Sequence, residues 1–131
     1  MIRRAAIALA LAALATPSLA TEWVSCSDAR GEASFDYLAG AVDALAVVGL
    51  TITVGEQVWA SDVAYGPGEP VAVGQAFEDA GSVRIDAMDE NLMARIAELR
   101  LFRASEGDHV ALGGTLRIPG HGAWAVSCTG P

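Results

Sequence analysis

The sequence predicts an all-β domain, a small antiparallel barrel or sandwich of about seven to eight strands. Three observations carry that expectation. Fourteen glycines punctuate the chain with turn clusters at short intervals, which suits many short strands better than a helical bundle. Several segments alternate apolar and polar residues with a period of two, as half-buried strands do. The two cysteines, Cys26 and Cys128, stand near the two ends in similar strand-like runs, Trp23-Val24-Ser25-Cys26 and Trp124-Ala125-Val126-Ser127-Cys128.

Residues 1–20 form the first element, and they read as an export signal. Arg3 and Arg4 give a basic start, Ala5 to Ala15 an apolar run, and Ser18-Leu19-Ala20 a small-x-small cleavage site. The expected mature chain is a single domain over residues 21–131, which contains no second apolar run long enough to span a bilayer. A strand through Trp23 to Cys26 is followed by Glu32 to Leu38, where Ala33, Phe35 and Tyr37 alternate with Ser34 and Asp36. The same region keeps a helical spacing through Phe35, Leu38, Val42, Leu45 and Val48, so an α+β fold with one helix near 34–48 is the alternative. The β-branched run Val47 to Val54 favours a strand. Gly55-Glu56-Gln57 turns it toward Val58, Trp59 and Ala60. Tyr65-Gly66-Pro67-Gly68-Glu69-Pro70 is the strongest loop signal, and Pro70 to Phe77 reads as an edge strand.

The second half is a predicted meander. Val83 and Ile85 alternate with Arg84 and Asp86, and Asp89-Glu90-Asn91 forms a polar turn. Met93 to Arg103 is the next strand, with Ser105 to Asp108 turning it into Val110 to Ile118. Gly113-Gly114 marks a bulge or bend there. Pro119-Gly120-His121-Gly122 leads into the last strand, Ala123 to Thr129.

An exported chain meets an oxidising compartment, so the even cysteine pair reads as a structural disulfide, Cys26–Cys128, tying the first strand to the last. No C-x-x-C spacing suggests redox work. Trp23 and Trp124 are expected to pack as an aromatic cluster over that bridge. Removal of the leader leaves six arginines, no lysine and sixteen carboxylates, a net charge of −10. Such a surface disfavours nucleic acid and anionic membranes. It favours a basic protein or cell-surface component as partner, by steering and by complementarity.

No constellation for catalysis, metal or cofactor stands out. His109 and His121 lack further ligands at metal-site spacing. Asp86, Asp89, Glu90 and Asn91 cluster oxygens around one turn without the spacing of a twelve-residue calcium loop. No G-x-S-x-G elbow occurs, and Asp108 beside His109 points to the opposite strand face. Gly66-Pro67-Gly68 lacks the Lys and Ser/Thr of a phosphate cradle. Candidate partner-binding residues are Trp59 and Tyr65, since aromatics beside a rigid loop often anchor a partner.

In size, charge and cysteine placement the chain resembles the small periplasmic lysozyme inhibitors, without their inhibitory-loop motifs. That similarity implies a disulfide-tied barrel that blocks a cationic enzyme. The expected function is a non-catalytic, inhibitor-like binding module located in the periplasm or outside the cell. A small-ligand carrier with a barrel pocket is the alternative, and a hydrolase without a recognisable motif ranks third.

Overall fold

Alternation of apolar and polar side chains gives ten strands in the computed structural model, which describes residues 21–40 and 44–130. The expected leader, residues 1–20, lies outside the described residues. In chain order the strands are β1 (Glu22–Ser27), β2 (Ala33–Gly40), β3 (Ala46–Val54), β4 (Gln57–Ala60), β5 (Glu69–Pro70), β6 (Ala72–Glu78), β7 (Ser82–Met88), β8 (Arg95–Glu106), β9 (His109–Ile118) and β10 (Gly122–Thr129). They form one sheet in the order β5-β4-β3-β2-β1-β10-β9-β8-β7-β6. Every pairing is antiparallel except the short parallel contact of β5 with β4. The sheet curls until β3 and β6 approach each other across the seam, which makes a nearly closed barrel instead of a two-layer sandwich.

Two expectations are corrected. The strand count is ten instead of seven to eight, and one of the additional strands is the two-residue β5, which sits inside the Gly/Pro loop where no period can announce it. The helix near 34–48 does not form: Ala33–Gly40 and Ala46–Val54 are strands, and residues 41–43 between them lie outside the described residues. The 3-4 spacing is a coincidence of a strand that is buried on nearly every second residue and then bulges. The register of β2 against β3 shifts between Leu38 and Ala39, leaving Val48 exposed on the bulge.

One inward row shows how register builds the core. Cys128, Cys26, Phe35, Ile52 and Trp59 stand side by side across β10, β1, β2, β3 and β4. Opposite them, Ile85, Leu99 and Leu116 align across β7, β8 and β9. All belong to one packed interior in which Phe35, Leu50, Ile52, Ile85, Leu99 and Leu116 are fully buried. Each such side chain contributes roughly 1.5–3 kcal/mol on burial. The Cys26–Cys128 disulfide joins directly facing residues of β1 and β10, closing the meander onto the first strand.

Gly113 and Gly114 cause no register break in β9. They permit close approach instead, since a Cβ on Gly114 would overlap the Arg100 carbonyl oxygen. Among the described residues no helix is long and apolar enough to cross a membrane.

Candidate functional site

The loop from Ser61 to Pro70 leaves the end of β4 and returns as β5, and local hydrogen bonds fix its shape. Ser61 is held to β3 twice: its Oγ accepts from the Leu50 amide at 2.8 Å, and its own amide donates to the Leu50 carbonyl at 3.0 Å. Asp62 then caps a 3₁₀ turn over Val63–Tyr65, its carboxylate accepting from the Ala64 amide at 2.8 Å. Gly66, at φ 117°, leads the chain out of that turn through a conformation that side chains disfavour. Between the turn and the Pro67-Gly68 segment lies an open cavity of about 580 Å³, lined by Ser61, Asp62, Val63, Pro67 and Pro70 among others. Val63 projects from the loop at 95% exposure.

Tyr65 anchors the far side of the loop. Its ring lies over Gly49 on the outer face of β3, where a Cβ would come within 2.8 Å of the ring, and it meets Trp23 edge-on at 5.3 Å between centroids. Thr51 Oγ1 donates to the Tyr65 carbonyl at 3.3 Å. Tyr65 is therefore half-buried as the footing of the loop, whereas Trp23, at 41% exposure, remains open to solvent.

Trp59 is placed differently from Tyr65. It is 5% exposed and points into the barrel, with the His121 ring edge-on against it at 5.3 Å. The expected aromatic cluster over the disulfide does not form. Trp23 is three residues from Cys26 and so faces outward, while Trp124 is four from Cys128 and faces the interior side. Antiparallel register then sends the two rings toward opposite ends of the paired strands. Trp124 Nε1 instead donates to Glu32 at 3.2 Å.

The two histidines, at the first residue of β9 and in the turn after its last, lie at opposite ends of that strand. The oxygen cluster also separates. Asp89 Oδ1 accepts from the amides of Met93 and Ala94 at 2.7 and 3.2 Å, closing the hairpin turn, while Asp86 is drawn into an ion-pair network on β7 and β8. Among the described residues no group of three or more His, Cys, Asp or Glu is arranged to hold a metal.

That network is the feature least visible beforehand. Asp86 and Glu98 face each other across β7 and β8, and Arg117 faces Glu98 from β9. Arg100 reaches Asp86 at 2.8 Å, Arg117 reaches Glu98 at 3.2 Å, and Arg95 bonds Glu98 while lying 3.8 Å from Asp86. The hydrogen bond from Arg95 first, and then the contacts with Arg117, hold the Glu98 carboxyl below its usual range. At the seam, Arg103 pairs with Glu78 at 2.6 Å. Tyr37 points inward, and burial above all, with the Glu78 charge second, pushes its hydroxyl up to about 12.

Charge compensation differs sharply between the two halves of the chain. Residues 21–70 hold eight carboxylates and one arginine; residues 71–131 hold eight and five. In the first half the described ion pair is Arg30 with Glu32 at 3.9 Å, both exposed. Glu22, Glu56, Asp62 and Glu69 stand on the surface of that half. Asp36 is half-buried, and burial raises its carboxyl while a 2.6 Å hydrogen bond from Ser25 opposes the shift.

Fold and site together define an all-β, disulfide-tied barrel whose first half has eight carboxylates and one arginine, Asp62 and Glu69 standing in the Ser61–Pro70 loop. No family model, curated protein or solved structure matches the chain.

Proposed function

We propose that the protein is a non-catalytic binding module that engages a cationic protein or cell-surface component through its acidic first half and the Ser61–Pro70 loop. The observation that carries this reading is the excess of eight carboxylates over one arginine in residues 21–70, together with a loop in that half that carries Asp62, Glu69 and an exposed apolar tip. The loop cavity has apolar walls in Val63, Pro67 and Pro70 and a carboxylate in Asp62. It suits a long basic side chain, whose methylene stem lies on the apolar wall while its head meets the carboxylate. Exposed Trp23 adds an aromatic surface beside it. An inhibitor-like role toward a basic enzyme is one form of this activity. Export is part of the reading, supported by the disulfide and by the leader-like residues 1–20.

The carrier alternative receives less support, because the inward-facing side chains pack into one continuous cluster that fills the barrel. The direct test is native mass spectrometry of the oxidised protein isolated from its own source. The expected result is a stoichiometric protein partner that is lost on raising the salt, since surface charge attraction is screened within about 10 Å at 0.1 M. A bare monomer at low salt overturns the proposal, and a retained small molecule favours the carrier.

A further inference from the structure

β8 and β9 are the longest described strands, and they run past their neighbours. β7 stops pairing with β8 at Ser82, opposite Phe102, and β10 stops pairing with β9 at Ser127, opposite Gly113. Among the described residues, Arg103–Glu106 and His109–Leu112 therefore pair only with each other, as a two-stranded ribbon. Alternation fixes which side chains face outward. Leu99, Leu101 and Leu116 are buried, so Phe102, Ala104 and Glu106 point away from the interior, opposite Gly113, Ala111 and His109. Phe102 is 74% exposed.

Beside that projecting ring lies a hollow. Gly113 faces Phe102 without a side chain, and a Cβ there would come within 2.9 Å of the Val126 carbonyl oxygen, so the backbone keeps the position empty. An open cavity of about 340 Å³ results, with Phe102 as one wall. A second, of about 460 Å³, shares Ala104 and Ala111 with it and runs on to Glu106 and His109. An exposed aromatic ring next to an apolar hollow is the form of a protein contact surface.

We propose that this face docks on the same face of a second copy of the chain, forming a symmetric dimer in which Phe102 of each copy fills the hollow at Gly113 of the other. The register of the hairpin makes the face self-complementary. Phe102 stands opposite Gly113, Glu106 opposite His109, and Glu98 opposite Arg117. A two-fold axis lying between β8 and β9 and parallel to them lays β8 of one copy on β9 of the other, so each of these residues meets its complement. Charge selects the same occupant. On this face Glu98 and Glu106 are matched by Arg100 and Arg117, whereas residues 21–70 hold eight carboxylates and one arginine. Two copies repel each other through the first half and can meet through this face. With the flanking residues of β7 and β10 the strip is four strands wide, roughly 27 Å by 15 Å. That is below the about 800 Å² per partner of a standard interface, so the dimer is weak and reversible. The acidic first half lies on other strands and stays free in the dimer, so neither proposal depends on the other.

The test is analytical ultracentrifugation of the oxidised protein over a concentration range up to about 1 mM. The expected result is a reversible monomer–dimer equilibrium with a Kd of about 10–100 μM. Phe102→Glu is expected to raise that Kd by about thirtyfold or more, the size of a hot-spot loss, and Ala111→Gln, which fills the hollow, to weaken the dimer as well. Both side chains are exposed, so the thermal midpoint of each variant should stay close to that of the parent. Phe77→Glu, on an exposed ring of β6 outside the strip, should leave the Kd unchanged. A monomer at about 1 mM, association that continues past two copies, a dimer that survives Phe102→Glu, or one that is lost in Phe77→Glu overturns the proposal.

Discussion

Residues 21–70 and 71–130 each supply five strands to one barrel. Both halves obey the same inward rule, with Phe35, Leu50 and Ile52 in the first matched by Ile85, Leu99 and Leu116 in the second. Their outward faces differ. In the second half arginines hold Asp86 and Glu98 on that face, and Asp79, Glu90, Glu106 and Asp108 are exposed, whereas the first half exposes Glu22, Glu56, Asp62 and Glu69 and has Arg30 as its single arginine. The inner face is fixed by the need to fill a closed space. The outer face answers to no such constraint, so its charge reports on partners or on strand-to-strand support.

The largest expected effect tests what joins the halves. Replacing both Cys26 and Cys128 by alanine frees a closed loop with a sequence separation of 102, and urea denaturation should register a loss of up to about 4–5 kcal/mol. A loss below about 1 kcal/mol would mean that the β1–β10 ladder alone holds the ends together.

Next comes the contrast in charge compensation. Arg100→Met leaves Asp86 buried beside a more distant Arg95, and should cost about 3 kcal/mol, at the low end for a buried pair because the guanidinium keeps some solvent contact. Arg30→Met, on the exposed pair of the first half, should stay within about 0.5 kcal/mol. Equal effects would erase the distinction between the two faces.

Alkaline titration probes the seam where the halves meet. Tyr37 titrates at about 12 in the folded chain against 10.0 for a free tyrosine. Below pH 10 both states keep the proton and stability is unaffected. Between pH 10 and 12 the unfolded chain releases it while the folded chain does not, so stability falls, by about 2–3 kcal/mol across the window. Stability measured against pH should show this fall, and Tyr37→Phe should remove most of it.

The smaller effects concern the loop. Tyr65→Ala uncovers Gly49 and loses the contact with Trp23, and should cost about 1 kcal/mol. Glu22→Gln with Glu69→Gln should change stability by no more than about 0.5 kcal/mol, while weakening the low-salt complex with the partner recovered from the native source.

Much of the framework was legible in the sequence. Period-two alternation marks β7, β9 and β10, the polar turns delimit the meander, and the cysteine pair in an expected export context gives the disulfide. The orientation of Trp23 was legible too, because a residue three positions from an inward cysteine must face outward. Other features are set by contacts between strands and leave no local trace. The two-residue β5 depends on where the Gly/Pro loop returns. Burial of Asp86 depends on Arg100, fourteen residues away on the next strand, and on bulges that no single residue announces. The 3-4 spacing through Phe35, Leu38, Val42, Leu45 and Val48 admits either period, and the alternation in Ala33–Gly40 together with the β-branched Val47–Val54 decides for strands.

The claim that the first half is the cation-facing surface is tested most directly by titrating the ¹⁵N-labelled, oxidised domain with hexalysine at low salt and again at high salt. The account predicts salt-sensitive shifts concentrated at Glu22, Trp23 and the Asp62–Glu69 segment, with little change on β7–β9. Shifts centred on β7–β9, an even spread over both halves, or no shift at low salt would contradict it.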